Sequence, residues 1–269
     1  MLKLLLIPLF LYFALLVLIF ATQTRILFPA GMAGGGAPLP SGAERLIVAI
    51  PDRDTLHGVR IPAAVPRAGP RTLILGFGGN AWNAEGAAAY LHQIYPDAEV
   101  VAFHYRGYAP SSGAPSAAAL VADAPLIHDF AVARVKPART LAIGFSIGSG
   151  VAASLAKTRE LTGLILVTPF DSLTAVASGH YPWLPVRALF RHEMKPAEWL
   201  RDNPVPVAII AAERDTLIPA ERTDALRRSV DRLAFDRTIA GAGHNDIYDR
   251  ADFGQAMREA AAALQKAGE

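Results

Sequence analysis

Apolar residues run unbroken near the start of the chain and then settle into a regular alternation. Residues 4–21 hold 18 positions without a charge, between Lys3 and Arg25. That length is close to the ~20 apolar residues that cross a hydrocarbon core, and longer than the ~7–15-residue core of a cleavable signal peptide. Ala21-Thr22-Gln23-Thr24-Arg25 offers no small-x-small cleavage pattern. Residues 1–28 therefore read as an N-terminal transmembrane signal anchor and its flank. Lys3 and the free amino terminus favour a cytoplasmic N-terminus, which puts the rest of the chain on the periplasmic or extracellular side. Residues 29–43 are rich in Gly, Pro and Ala and read as a linker with too few side chains to pack.

From residue 44 the pattern changes. Two short β-like runs, 45–50 and 56–61, flank a polar turn and predict a hairpin. Continuous apolar runs follow at 72–77, 99–104, up to Gly144, 161–168, 206–212 and 233–239. Between them lie helix-like runs at 84–94, 117–135 (kinked or restarted at Pro125), 147–157, 219–229 and 247–266. Strands apolar on both faces, alternating with helices, imply a mostly parallel sheet with helices on both faces. Residues 171–203 break this rhythm with Tyr181, Pro182, Trp183, Leu184, Pro185, Phe190 and Trp199. They read as a small lid insertion over the carboxyl ends of the strands, where such sheets bind ligands. The domain organisation expected is anchor 1–28, linker 29–43 and one domain over 44–269.

Composition narrows the chemistry. The chain has 269 residues, 52% hydrophobic and 19% charged, with net charge +2 and no cysteine. Disulfides, thiolate catalysis and cysteine-bound metal are excluded. The cations are dispersed without interleaved aromatics, so no nucleic-acid partner is expected. No His/carboxylate set has metal-ligand spacing, and the glycines at 76–79 lack the third glycine of a dinucleotide loop. No cofactor or metal is implied.

Gly144-Phe145-Ser146-Ile147-Gly148 is G-x-S-x-G between a strand-like and a helix-like run. A serine on so sharp a turn is held in a strained conformation with its hydroxyl at the sheet edge, and it is a candidate nucleophile. It needs a base, and the base needs an orienting acid. Among seven histidines, only His244 lies in a glycine-flanked loop after the last strand. Asp215, just past the preceding strand, is the candidate acid. Asp171, one strand earlier, is the alternative, with a structural place at the start of the lid as its other reading. Asp246 reads as a helix N-terminal residue favoured by the helix dipole. The oxyanion of acyl transfer needs two backbone N–H donors. Ile147 is one candidate and Asn80, after the 72–77 strand, is the other, with Gly79 as its close alternative. Arg106 reads as a tie between loops. Trp82, Tyr181 and Trp183 are candidate substrate-binding residues, although the lid aromatics could equally form lid core or membrane-facing anchors.

With these residues in place, the chain resembles the α/β-hydrolases. It is most similar to small membrane-anchored serine hydrolases, a branch with depalmitoylase-like and serine-aminopeptidase-like members. The resemblance runs from the anchor and Thr24-Arg25-Ile26-Leu27-Phe28-Pro29 to the last helix. It is carried by Gly79-Asn80-Ala81-Trp82-Asn83, Tyr105-Arg106-Gly107-Tyr108 with Ser111-Ser112-Gly113, the Ser146 pentapeptide, residues 181–185, Asp215-Thr216-Leu217-Ile218-Pro219 and Gly243-His244-Asn245-Asp246. Two positions depart from that branch. Gly78 stands where a histidine buttresses the oxyanion loop, which predicts a less rigid loop, and His104 stands where an aspartate precedes Tyr-Arg-Gly. The resemblance implies an α/β-hydrolase fold and a membrane-tethered serine hydrolase. Its substrate would be a small acyl ester or thioester, with the lipid bilayer as partner through the N-terminal helix. A peptidase with the same triad, or a non-catalytic binding domain on the same fold, are the other readings.

Overall fold

The computed structural model describes residues 2–36, 38–65 and 70–268. The apolar N-terminal run forms one helix, α1 (Leu2–Leu27), with Pro8 inside its first turns. Among the described residues, the stretch Leu6–Met32 is the one long and apolar enough to cross a membrane, at mean hydropathy 2.3, and only 6% of its most apolar window is buried against protein.

The following strands build one sheet. Strands β1 (Glu44–Ala49) and β2 (Thr55–Ile61) form the expected hairpin, closed by a 3-10 turn over Pro51–Arg53. Then come β3 (Thr72–Phe77), α2 (Ala84–Ile94), β4 (Glu99–Phe103), α3 (Ala117–Val135), β5 (Arg139–Phe145), α4 (Ile147–Ala156) and β6 (Gly163–Val167). Three short helices follow, α5 (Leu173–His180), α6 (Val186–Leu189) and α7 (Pro196–Trp199). The chain finishes with β7 (Val207–Ala212), α8 (Ala220–Ser229), β8 (Leu233–Ile239) and α9 (Ala251–Gly268). The strand order is β1-β2-β4-β3-β5-β6-β7-β8. β1–β2 and β2–β4 are antiparallel, and every pairing from β4 onward is parallel. The parallel strands are apolar on both faces because helices cover both, and β6 and β7 are buried along their whole lengths.

Topology positions the site. From β3 the order runs to β4 on one side and to β5 on the other, a switch point where loops diverge and leave a crevice. Phe77 at the end of β3 pairs with Gly144 near the end of β5, so the loops after both strands emerge side by side. β7 and β8 are also neighbours, so the loops after them meet as well.

Three details differ from the sequence pattern. Several described residues of the 29–43 stretch touch the domain. Ala33 is buried, Leu39 and Ala43 pack on the core, and the Asn83 amide donates to the carbonyls of Ala33 (3.1 Å) and Gly35 (2.7 Å). A side-chain-poor chain can lie this close when a polar residue opposite satisfies its backbone. Helix α3 runs through Pro125 without restarting. The proline sacrifices only one helical hydrogen bond, and packing of the buried face retains the rest. The last helix begins at Ala251, after a separate 3-10 turn over Ile247–Asp249.

Candidate active site

Ser146 sits between β5 and α4 with φ 51° and ψ −118°. This left-handed backbone is unfavourable for a residue with a side chain, and close packing on either side holds it. A Cβ on Gly144 would stand 2.3 Å from the Gly148 carbonyl oxygen, and one on Gly148 would stand 2.1 Å from that of Phe77. Both glycines are therefore required by contact with backbone. The Ser146 N–H donates to the Val167 carbonyl (2.9 Å), which ties the turn to β6.

His244 and Asp215 converge on this serine. His244 Nε2 lies 2.9 Å from Ser146 Oγ, and His244 Nδ1 lies 2.7 Å from Asp215 Oδ2. The Asp215 side chain is 4% exposed and that of His244 is 8%. The other carboxylate oxygen of Asp215 accepts the N–H groups of Leu217 (2.9 Å) and Ile218 (2.7 Å). Three accepted bonds fix the carboxylate and so the direction of the imidazole. Asp246 does not cap a helix with its side chain. Its carboxylate accepts the Gly243 N–H and the Arg250 guanidinium, both at 2.5 Å, and so braces the loop that carries His244. The Gly243 N–H and then Arg250 hold this carboxyl below its ordinary value. Asp171 lies elsewhere. It faces Arg222 (3.3 Å), its backbone carbonyl accepts the Ala197 N–H at the lid, and burial raises its pKa.

The loop after β3 reaches the same point. A Cβ on Gly79 would stand 3.9 Å from Ser146 Cβ. Ile147 opens α4, so its N–H has no acceptor within the helix and points out of the helix start. The side chain of Asn80 is engaged through both its nitrogen and its oxygen. It donates to the Leu27 carbonyl at the end of α1 and accepts the Tyr108 hydroxyl (2.8 Å). The Tyr105 hydroxyl donates to the Gly78 carbonyl (2.7 Å). Burial pushes both phenols up, so they remain protonated donors. Trp82 Cβ lies 3.1 Å from the place a Cβ on Gly78 would take. A side chain there would press on Trp82, and the Gly78 carbonyl and the Asn80 side chain are held instead by Tyr105 and Tyr108. Tyr105 and Tyr108 stood in a recognised motif, but nothing in the sequence said that their hydroxyls would meet this loop. Arg106 ties its loop to α3 through a paired contact with Asp123 (3.1 and 2.5 Å).

A cavity of about 530 Å³ opens at Ser146 and His244. Trp82 lines it from below, packed on Phe145 (5.0 Å between rings) and Tyr248 (4.8 Å). Tyr181, Trp183, Leu189 and Phe190 line it from the lid, and Ile19, Gln23, Ile26 and Leu27 line it from α1. The lid rests on the serine helix, where a Cβ on Gly150 would stand 2.7 Å from Met194 Sδ. The three candidate substrate-binding aromatics therefore all border one cavity. The hydropathy of α1 predicts no role for it as a cavity wall. Tyr12, Gln23 and Thr24, polar groups on an apolar helix, are its visible signs in the sequence.

The sheet order, the strand-turn-helix around Ser146 and the lid define the α/β-hydrolase fold, and solved α/β hydrolases share it. Solved hydrolases at 16–19% identity superpose on the chain with TM-scores of 0.61–0.66, which shows the shared fold. It is 33% identical over 235 residues to the uncharacterized protein Rv2307c of Mycobacterium tuberculosis, which covers 85% of this chain and 82% of that protein, and the two belong to one family. Over 138 residues it is 30% identical to the lysophosphatidylserine lipase ABHD12 of Danio rerio, covering 45% of this chain and 36% of that one. Among solved structures, a membrane phospholipase A superposes with a TM-score of 0.62 at 15% identity, over 98% of this chain and 99% of the other. No family model matches the chain.

Proposed function

We propose that the protein is a membrane-tethered serine hydrolase that cleaves carboxylic ester or thioester bonds through an acyl-enzyme on Ser146. The observation that carries this reading is the hydrogen-bonded line Ser146–His244–Asp215 at the mouth of an apolar cavity. His244 Nε2 takes the hydroxyl proton as Ser146 Oγ attacks the acyl carbonyl. Asp215 orients the imidazole and stabilises its charged form. The N–H groups of Ile147 and Asn80 hold the developing oxyanion. Collapse breaks the acyl–oxygen or acyl–sulfur bond, and His244 hands its proton to the leaving alkoxide or thiolate. Water then attacks the acyl-enzyme, His244 takes its proton, and the carboxylic acid leaves with Ser146 restored. A cavity of this size, lined by aromatic and aliphatic side chains, suits an acyl chain. The partial likeness to a lysophospholipid lipase supports an amphiphilic ester over a peptide. Helix α1 supports the tether, and the Lys3 charge before it favours a domain on the periplasmic or extracellular side.

A fluorophosphonate probe is expected to label the wild type and not Ser146→Ala, and the substitution is expected to lower kcat at least ~10³-fold. Equal labelling of both would leave a non-catalytic binding domain. Acyl p-nitrophenyl esters are expected to turn over faster than aminoacyl nitroanilides, and the reverse order would make the protein a peptidase. Protease added to spheroplasts is expected to digest the domain, and protection would reverse the topology.

A further inference from the structure

The anchor helix does more than end near the domain. Tyr12, Leu16, Ile19, Gln23 and Leu27 fall on one face of α1 by their spacing, and from Leu16 to Leu27 they are half-buried or buried. This face is clasped by the lid. The Tyr12 hydroxyl donates to the Trp183 carbonyl (3.0 Å). Buried Gln23 donates to the Leu189 carbonyl (3.1 Å) and accepts the Arg191 N–H (2.9 Å). Thr24 Oγ1 lies 2.8 Å from His192 Nε2. Ile19, Gln23, Ile26 and Leu27 are cavity wall.

From Tyr12 to Leu27 a helix rises about 22 Å. The lid therefore lies along more than half of α1. Tyr12 is near the middle of the uncharged run 4–21, so its contact with Trp183 leaves two arrangements. In one, the second half of the helix stands in water and exposes Phe13, Val17, Leu18 and Phe20. In the other, the lid tip enters the bilayer beside the helix. The lid surface decides between them. Tyr181 and Trp183 are 48% and 54% exposed, and they extend the apolar surface of α1 outward. Exposed Arg191 sits at the level of Phe20 and Gln23, where headgroups would lie: its guanidinium donates to the Phe20 carbonyl (3.1 Å) and its backbone N–H to Gln23.

We propose that α1 and the lid together form a membrane-immersed acyl channel. The Ile19 face of the anchor is one wall of the substrate site, and a bilayer-resident acyl ester enters sideways between α1 and the lid. This rests on the hydrolase reading of Ser146. Ile19 lies about 12 Å along the helix from Leu27, whose carbonyl holds Asn80 beside the serine. Ile19 therefore borders the part of the channel that long chains reach and short ones do not.

The test uses the full chain in phosphatidylcholine vesicles with a p-nitrophenyl ester series from short to long acyl chains. Ile19→Trp is expected to lower the long-to-short ratio of kcat/KM about tenfold, because the larger ring fills the distal channel. Ile19→Ala is expected to move the optimum to longer chains. Leu18→Trp, on the exposed face, is expected to leave the ratio as in wild type. Fluorophosphonate labelling of each variant checks that the site is folded. An unchanged ratio in labelled Ile19→Trp and Ile19→Ala overturns the channel wall, whereas a wild type that neither labels nor hydrolyses short esters overturns the hydrolase reading. Lipids brominated at mid-chain are expected to quench wild-type tryptophan fluorescence more than that of Trp183→Phe. Equal quenching overturns the immersion of the lid.

Discussion

Ser146 is held in place mainly by what cannot surround it. Its left-handed backbone persists because Gly144 and Gly148 let the helix start press against the ends of β3 and β5. A methyl group on Gly148 would meet two carbonyl oxygens, those of Phe77 and Gly78, at 2.1 and 2.6 Å. Gly148→Ala is expected to destabilise the fold by roughly 3 kcal/mol and to displace the loop that carries Asn80. Gly179→Ala, in α5 with nothing within 4 Å, is the matching control and is expected to be neutral or stabilising by up to about 1 kcal/mol. Urea unfolding of the two variants checks both, and equal midpoints would show that the Ser146 turn can relax.

At the scale of elements, the loop after β3 is braced from three directions. Tyr105 holds the Gly78 carbonyl, Tyr108 holds the Asn80 amide oxygen, and the end of α1 accepts the Asn80 amide N–H. Tyr108→Phe removes one brace without removing any group that touches substrate. Tyr108 is thus a positioning residue for the Asn80 N–H, whose proposed work is on the oxyanion. The expected result is a fall in kcat of about tenfold with KM nearly unchanged, less than the ~10²–10³-fold cost of deleting an oxyanion donor. Steady-state kinetics on a short ester separates the two constants. A rise in KM with constant kcat would mean that the loop shapes binding instead.

For the molecule as a whole, one buried pair links stability to pH. His104 Nε2 lies 2.7 Å from Glu85 Oε2, and both side chains are nearly inaccessible. Burial pushes His104 below its ordinary value near 6.5, and the Glu85 charge opposes this only in part. The unfolded chain then binds a proton near pH 6.5 that the folded chain refuses. Stability is therefore expected to fall as pH drops below about 6.5 and to be insensitive to this group above it. His104→Gln keeps a donor toward Glu85 and is expected to flatten that fall. Urea midpoints at pH 7.5 and 5.5 measure the difference, and parallel losses in both proteins would assign the effect to other groups.

Local pattern was enough for much of this. The apolar helix, the hairpin, the strand and helix alternation, and the glycine-flanked turn at Ser146 are short-range consequences of hydrophobic period and backbone sterics, which neighbouring residues determine. The order serine, aspartate, histidine also pointed to its own strand ends, because a parallel sheet delivers each loop to the same edge. Tertiary structure alone decided the rest. Tyr105 and Tyr108 reach the loop after β3 because β4 lies beside β3, Asp246 turns back to brace its own loop, and Asn83 draws residues 33–35 onto the domain. The largest such decision is the docking of α1 on the lid. Hydropathy marks a helix as apolar on every side and cannot say which face meets protein. Gln23 and Tyr12 find partners more than 160 residues away, and only the folded chain brings those distances to 3 Å.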